Sequence, residues 1–112
     1  MKKDKLRASK TKDGKLVSWR HPGGKLLRLG AESLSDEELV AILIGTGIPG
    51  KSAVEIAKDL FGRFQSFRGM ASQSLDEFKK IKGLSTVKVT KIAATFEIAR
   101  RIVNQVLEEK NV

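Results

Sequence analysis

The residues most able to do chemistry are the lysines around a predicted turn between residues 78 and 92. This stretch holds five lysines and no acidic residue. Its pattern predicts two helices joined by a tight hairpin, with Gly83 in the turn. The first backbone N–H groups of the second helix have no partner inside the helix and lie at the positive end of its dipole. Such a helix start beside lysines suits an anion, and we expect a nucleic-acid phosphate.

The spacing of the hairpin matches a helix-hairpin-helix motif in part. Ser85 stands where the second glycine of that motif is usual, so a left-handed conformation kept at Ser85 would cost about 1–2 kcal/mol. Val89 stands where alanine is usual, and we expect its bulk to separate the two helices slightly. The positions that fit the motif are Phe78, Ile81, Gly83 and Leu84.

We predict that the turn amides and the surrounding lysines contact DNA phosphates. Such contacts do not reach base edges, so binding should be largely independent of sequence. Its dissociation constant should be around 10⁻⁴–10⁻⁶ M, as is usual for non-specific binding. The alternative is a packed helical hairpin whose lysines are only solvated. The predicted DNA-binding residues are Lys79, Lys80, Lys82, Gly83, Leu84, Ser85, Thr86, Lys88 and Lys91.

A second candidate phosphate site is the loop at residues 45–52, Gly-Thr-Gly-Ile-Pro-Gly-Lys-Ser, which matches G-x-x-x-x-G-K-[ST]. In nucleotide-binding proteins this loop follows a strand, its lysine reaches the phosphates and its serine binds Mg²⁺. Here the upstream segment begins with a helix-capping pattern, and no further strands are predicted to complete a parallel sheet. We therefore interpret the segment as a helix–helix loop in which Ser52 caps the next helix. A nucleotide-binding enzyme is the least supported alternative.

The elements that position these residues are predicted to be short helices. Serine followed three residues later by glutamate is the pattern of a capping box, and it occurs at Ser35 and at Ser74. Glycines are expected to end helices, and a loop with Phe64, Phe67 and Met70 should follow the helix that Ser52 caps. The predicted helix ends are Gly30, Gly45 together with Gly47, and Gly62.

The last helix is predicted to begin near Thr86 and to run past Glu108. Its apolar residues recur at steps of three and four, which indicates a buried face along the helix. No sustained strand pattern occurs, so we expect an all-α fold, a compact bundle of five or six short helices that contains the helix-hairpin-helix-like motif at 75–103. The predicted buried face consists of Val89, Ile92, Ala93, Phe96, Ala99, Ile102, Val103 and Val106.

Composition narrows the class of protein. The formal net charge is +9, of which residues 1–21 carry +6, with eight basic and two acidic side chains. We expect residues 1–20 to form a flexible basic tail with a short extended piece at residues 16–19, and Trp19 to pack on the domain at 21–112. The 112 residues contain no cysteine, which excludes disulfides and thiolate metal sites, and their single histidine argues against a histidine-built metal centre. No cofactor and no catalytic residue are predicted. The longest apolar run spans six residues from Leu39, too short for a membrane span, and a cytoplasmic protein is expected.

Several segments together resemble the N-terminal region of the bacterial RadC family. They are His21-Pro22, residues 26–39 (Leu-Leu-Arg-Leu-Gly-Ala-Glu-Ser-Leu-Ser-Asp-Glu-Glu-Leu), residues 41–47 (Ala-Ile-Leu-Ile-Gly-Thr-Gly), Gly50-Lys51-Ser52, Ile81-Lys82-Gly83 and residues 97–101 (Glu-Ile-Ala-Arg-Arg). The resemblance covers roughly residues 21–103. Members of that family carry the name of DNA repair proteins, so it implies a DNA-binding role. Typical members continue into a JAB/MPN metalloprotease-like domain, whose zinc ligands include two histidines and an aspartate.

That metal-binding motif does not occur in these 112 residues. We therefore expect either a shortened piece of a longer protein or a natural short form, and the resemblance implies no catalysis here. The leading hypothesis is a non-catalytic module that binds DNA. The alternative is a protein-interaction or regulatory domain that docks the C-terminal metalloprotease-like domain or another partner, with Phe61, Phe64 and Phe67 partly exposed.

Overall fold

The computed structural model describes residues 21–110 and two short backbone segments near the N-terminus. These segments, β1 (Ala8–Lys10) and β2 (Leu16–Ser18), pair antiparallel with Ser9 opposite Val17. The extended piece expected at residues 16–19 is therefore a strand over its first three residues, and the sequence did not predict its partner strand. Trp19 and most of the predicted flexible tail lie outside the described residues, so both expectations stay predictions.

Residues 21–110 fold into six α-helices and one turn of 3₁₀-helix, which confirms the predicted all-α bundle. None of these helices is long and apolar enough to cross a membrane. In chain order the helices are α1 (Pro22–Leu29), α2 (Asp36–Ile44), α3 (Ala53–Phe64), α4 (Phe67–Ala71), α5 (Leu75–Lys79) and α6 (Thr86–Lys110), with the 3₁₀ turn Ala31–Ser33 between α1 and α2.

Reciprocal hydrogen bonds fix the starts of α2 and α3. The Ser35 hydroxyl accepts from the Glu38 N–H at 3.1 Å, and the Glu38 carboxylate accepts from the Ser35 N–H at 2.9 Å. Ser52 and Glu55 make the same pair of bonds, at 3.1 and 2.9 Å. The capping box at Ser35 and the Ser52 cap are thus confirmed, while Glu55, three residues after Ser52, was missed as the second half of a box.

The predicted box at Ser74 is only half formed. The Ser74 hydroxyl accepts from the Glu77 N–H at 3.4 Å. The Glu77 carboxylate turns away and binds the Arg63 guanidinium at 3.1 Å and the Lys80 ammonium at 2.7 Å. Glu77 therefore ties α5 to α3, a role that spacing within one helix cannot reveal.

The predicted end of α3 at Gly62 is wrong. The helix passes through Gly62 to Phe64 and ends at Gln65, whose φ of +77° is the only positive value at a non-glycine position in the described chain. An interior glycine costs roughly 0.5–1 kcal/mol relative to alanine. Burial of Phe64, whose ring centroid lies 5.2 Å from that of Phe78, outweighs this cost. The loop predicted after α3 also contains the short helix α4, which Ser66 caps.

The core lies between α2, α3, α5 and the first half of α6. At its centre Ile56 and Leu60 of α3 are fully buried. The buried apolar residues are Val40, Ala41, Ile44, Ile56, Ala57, Leu60, Phe64, Met70, Phe78, Ile81, Leu84, Val89 and Ile92.

Only the first part of the predicted buried face of α6 is buried. Val89 and Ile92 belong to the core, and Phe96 packs against its edge. The prediction is wrong for Ala99, Ile102, Val103 and Val106, which are exposed. The physical reason is length, because α6 has 25 residues whereas the other helices have 5 to 12. The short helices cover α6 only as far as Phe96.

Candidate nucleic-acid interface

The hairpin between α5 and α6 is anchored to the core by two apolar side chains. Ile81 and Leu84 are buried, and the Leu84 N–H donates to the Ile81 carbonyl at 3.2 Å. Gly83 lies between them with φ +98° and packs so closely on α3 that a Cβ at Gly83 would lie 2.5 Å from Cδ1 of Ile56. The turn is therefore held rigidly on the core. Since Leu84 is buried and its N–H is bonded, it is the predicted site residue least able to contact DNA.

Ser85 takes the role of an N-cap rather than that of a strained glycine. Its hydroxyl accepts from the Lys88 N–H at 3.3 Å, and its carbonyl accepts from the Val89 N–H at 2.9 Å. Its φ is not positive, so the strain considered from the sequence is absent. Val89, which stands where the motif usually has alanine, is buried in the core, so its larger side chain packs inside the domain.

The start of α6 carries no carboxylate. Its first turn contains no acidic residue, whereas Glu38 and Glu55 occupy the starts of α2 and α3. The N–H groups of Thr86 and Val87 have no hydrogen-bond acceptor within residues 21–110. Together with the helix dipole, these two donors favour an anion.

The five predicted lysines differ in their availability. Lys80 forms the ion pair with Glu77, and the Lys88 ammonium donates to the Thr46 carbonyl in the loop between α2 and α3. Lys79, Lys82 and Lys91 are exposed and have no ion-pair partner within residues 21–110. The structure therefore leaves these last three lysines best able to contact phosphates.

The loop that matches a phosphate-binding pattern uses its polar groups internally. Ile48 and Lys51 exchange two backbone hydrogen bonds of 2.9 Å each, and the Lys51 side chain forms an ion pair with Asp59. A Cβ at Gly47 would overlap the Lys51 carbonyl oxygen, so this glycine serves the tight turn. The segment joins α2 to α3, which confirms its interpretation as a helix–helix loop. Because the Ser52 N–H donates to the Glu55 carboxylate, this donor is not available to a phosphate, and the loop is a poor phosphate-binding site.

Three glutamates have pKa values that are lowered by specific hydrogen-bond donors. The Ser35 backbone N–H, and then the Lys25 ammonium, hold the pKa of Glu38 below its ordinary value. The Ser52 backbone N–H and hydroxyl lower the pKa of Glu55. Hydrogen bonds from Lys80 and then Arg63 lower the pKa of Glu77. At neutral pH these carboxylates repel an anion from the starts of α2, α3 and α5, whereas the first turns of α1 and α6 carry no acidic residue.

Comparison with known proteins gives the family. A family model described as UPF0758 N-terminal matches residues 16–90, about two thirds of the chain. The chain belongs to the UPF0758 family. Two relatives are similar over most of the chain: a UPF0758 protein of Alteromonas mediterranea, 41% identical over 91 residues, and one of Herminiimonas arsenicoxydans, 42% identical over 82 residues. These alignments cover 81% and 73% of this chain.

UPF0758 relatives are longer than this chain. The alignments cover 40% of the Alteromonas protein and 37% of the Herminiimonas protein, so the chain spans about two fifths of their length. No solved structure matches the chain. The family membership agrees with the predicted N-terminal resemblance, and the names of these relatives carry only the family designation. The RadC name, DNA repair and the C-terminal metalloprotease-like domain therefore stay predictions.

Sequence reasoning missed two contacts at the hairpin. The Glu77–Lys80 pair has the three-residue spacing of neighbours on a helix, so the sequence did hold a signal for it. The Lys88–Thr46 contact joins residues 42 positions apart and had no such signal. It follows that charge reversal at Lys88 would test an internal contact as well as DNA binding, and Lys82 is the better position to change.

Proposed function

We propose that this chain is a non-catalytic module that binds the DNA backbone through the hairpin between α5 and α6. The observation that carries the proposal is the start of α6, where the N–H groups of Thr86 and Val87 lack acceptors within the described residues and no carboxylate is present. A phosphate placed there accepts from these N–H groups and attracts Lys82 and Lys91. Since both kinds of contact go to phosphates, the binding is independent of sequence.

Charge reversal at the hairpin tests where DNA binds. The K82E/K91E variant should bind a fluorescein-labelled duplex at least tenfold more weakly than the unchanged chain in an anisotropy titration. Its log–log salt slope should fall by about 2, since each phosphate contact contributes about 0.9. The matched control is K58E/K110E, which changes the net charge equally at exposed positions of α3 and α6 that make no ion pair within residues 21–110. Equal losses in the two variants would show that net charge, and not the hairpin, controls binding.

A single substitution separates the helix start from the lysines. Val87 is exposed in the first turn of α6, so V87E adds a carboxylate where α2 and α3 already have one. It should stabilise the helix by roughly 0.3–1 kcal/mol through the dipole, and still weaken DNA binding. V87Q is the control without charge. Unchanged affinity in V87E would rule out phosphate binding by the α6 amides.

The basic N-terminal residues need their own control. A chain that begins at Trp19 removes seven of the basic side chains in the +6 segment. Salt-sensitive binding that survives this truncation would support the folded domain as the site. Binding that disappears with the truncation would contradict the proposal, because the hairpin would then contribute nothing measurable.

A further inference from the structure

The loop between α2 and α3 lies beside the hairpin between α5 and α6. Its residue Ile48 packs against the core, and Cδ1 of Ile48 would lie 3.6 Å from a Cβ at Gly83, the glycine of the hairpin turn. The Lys88 ammonium, from the first turn of α6, donates to the Thr46 carbonyl of this loop. The fold therefore brings together two loops that are far apart in the sequence, and the hydrogen bond joins residues 42 positions apart.

The Thr46 carbonyl belongs to a tightly held part of the loop. Directly after it, Ile48 and Lys51 exchange two backbone hydrogen bonds of 2.9 Å each. Gly47 packs so closely on this turn that a Cβ there would overlap the Lys51 carbonyl oxygen. Thr46 thus joins the end of α2 to a closely packed turn, and its carbonyl has a fixed position. A lysine that donates to this carbonyl is fixed as well.

Lys88 keeps its full positive charge in this contact. The Thr46 carbonyl is a neutral acceptor, and Lys88 forms no ion pair within residues 21–110. Lys80 differs, because the Glu77 carboxylate neutralises its charge. A lysine ammonium has three N–H donors, so the bond to Thr46 leaves two of them for another acceptor.

Lys88 also lies close to the free N–H groups at the start of α6. The helix begins at Thr86, so Lys88 is in the same turn as Thr86 and Val87. Side chains in an α-helix extend back toward its N-terminus, which directs the Lys88 side chain to the start of α6. An exposed lysine such as Lys82 loses rotamer freedom when it binds a phosphate, and this loss weakens binding. Lys88 is half-buried and already ordered by Thr46.

We propose that the α2–α3 loop positions a DNA contact: the Thr46 carbonyl holds the Lys88 ammonium so that its two remaining N–H donors reach a backbone phosphate. This inference rests on the proposed function and adds to it a positioning group from outside the hairpin. It also gives the glycine-rich loop a role that needs no phosphate of its own. Since Thr46 itself does not touch DNA, its effect on affinity acts through Lys88.

Removal of the Lys88 charge tests the phosphate contact. In the anisotropy titration of duplex DNA, K88M should bind about eightfold more weakly at about 0.1 M salt, and its log–log salt slope should fall by about 0.9. Methionine keeps an apolar side chain of similar length and loses the ammonium. An unchanged slope, with K88M folded by circular dichroism, would overturn the inference, because Lys88 would then only stabilise the end of α2.

Glycine and alanine at position 46 test the positioning. Both substitutions remove the threonine side chain and keep the carbonyl, but T46G creates three consecutive glycines at residues 45–47 and loosens the loop. T46G should bind DNA about two- to fivefold more weakly than T46A, the factor that corresponds to the extra backbone freedom of glycine. The salt slopes of T46A and T46G should agree, because the number of phosphate contacts is the same. Equal affinities of these two variants would overturn the positioning role.

The same pair of substitutions in the K88M background separates positioning from general stability. K88M/T46A and K88M/T46G should bind DNA equally, since no ammonium remains to be positioned. A loss from glycine that persists in this background would overturn the inference, because the loop would then act through stability alone.

The hairpin variant distinguishes failure of this inference from failure of the proposed function. Loss of binding in K82E/K91E together with an unchanged salt slope in K88M would overturn the role of Lys88 and Thr46 alone. If K82E/K91E instead matched its control K58E/K110E, the proposed function would be wrong and this inference would be wrong with it.

Discussion

Gly83→Ala is the substitution that most directly tests how the hairpin is built. Gly83 has φ +98°, outside the regions that side chains other than glycine ordinarily adopt, and a Cβ there would lie 2.5 Å from Cδ1 and 3.0 Å from Cγ1 of Ile56. The backbone conformation costs about 1–2 kcal/mol with alanine. Overpacking against the fully buried Ile56 adds about 1–3 kcal/mol. We expect a loss of unfolding free energy of about 2–5 kcal/mol.

The overpacking part of this loss can be measured separately by shortening Ile56, the residue that the new methyl group contacts. Ile56→Val removes Cδ1, the closer of the two atoms, at a cost of about 0.5–1.5 kcal/mol. In the double variant, the methyl group added by Gly83→Ala occupies the space left by the Cδ1 that Ile56→Val removes. The total loss should therefore be smaller than the sum of the single losses by about 1 kcal/mol or more.

Urea unfolding followed by circular dichroism at 222 nm measures all four members of this cycle. The matched control is Gly62→Ala, since Gly62 lies within α3 and, beyond its chain neighbours and the surrounding backbone of α3, no atom lies within 4 Å of the position that a Cβ would take. That change should stabilise the protein by about 0.5–1 kcal/mol. If Gly83→Ala behaved like Gly62→Ala, or if the two losses at Gly83 and Ile56 simply added, the described packing of the hairpin on α3 would be refuted.

Two further predictions concern charge and the uncovered part of α6. The lowered pKa of Glu38 in the folded state contributes stability that is present above the ordinary glutamate pKa and is lost as the pH falls through the lowered value. The melting temperature of E38Q should therefore fall less than that of the unchanged chain between about pH 6 and pH 3. Parallel curves of melting temperature against pH would contradict this. Ile92→Ala should cost about 2–5 kcal/mol because Ile92 is buried, whereas Ile102→Ala should stay within about 0.5 kcal/mol in urea titrations because Ile102 is exposed. Comparable losses for these two substitutions would show that the second half of α6 is packed.

Local signals in the sequence predicted the local structure well. A serine and a glutamate three residues apart satisfy each other's free donors whatever surrounds them, so Ser35 marked the start of α2 without any tertiary information. The same local reasoning rejected the strand that a nucleotide-binding loop needs. Its error at Gly62 has a tertiary cause, since burial of Phe64 extends α3 beyond a glycine that would otherwise favour an end.

The sequence predicted the candidate site only as a continuous segment, and the tertiary structure showed which residues of that segment are available for binding. The sequence placed five lysines near the hairpin, but it could not show that Glu77 holds Lys80 or that the Thr46 carbonyl holds Lys88. It also could not show that Ser85 caps α6 without strain. These outcomes depend on groups from other helices and on the actual path of the turn.

The sequence by itself determined the helical class, the positions of the main caps, the hairpin and the basic character of its surroundings. These properties arise from residues within a few positions of one another. Only the tertiary structure decided which apolar residues of α6 are buried, because the spacing of Val89 and Ile92 continues unchanged through Val103 and Val106. A periodic pattern indicates that a helix has an apolar face. Whether that face meets a partner depends on how far the neighbouring helices reach, and here they end near Phe96.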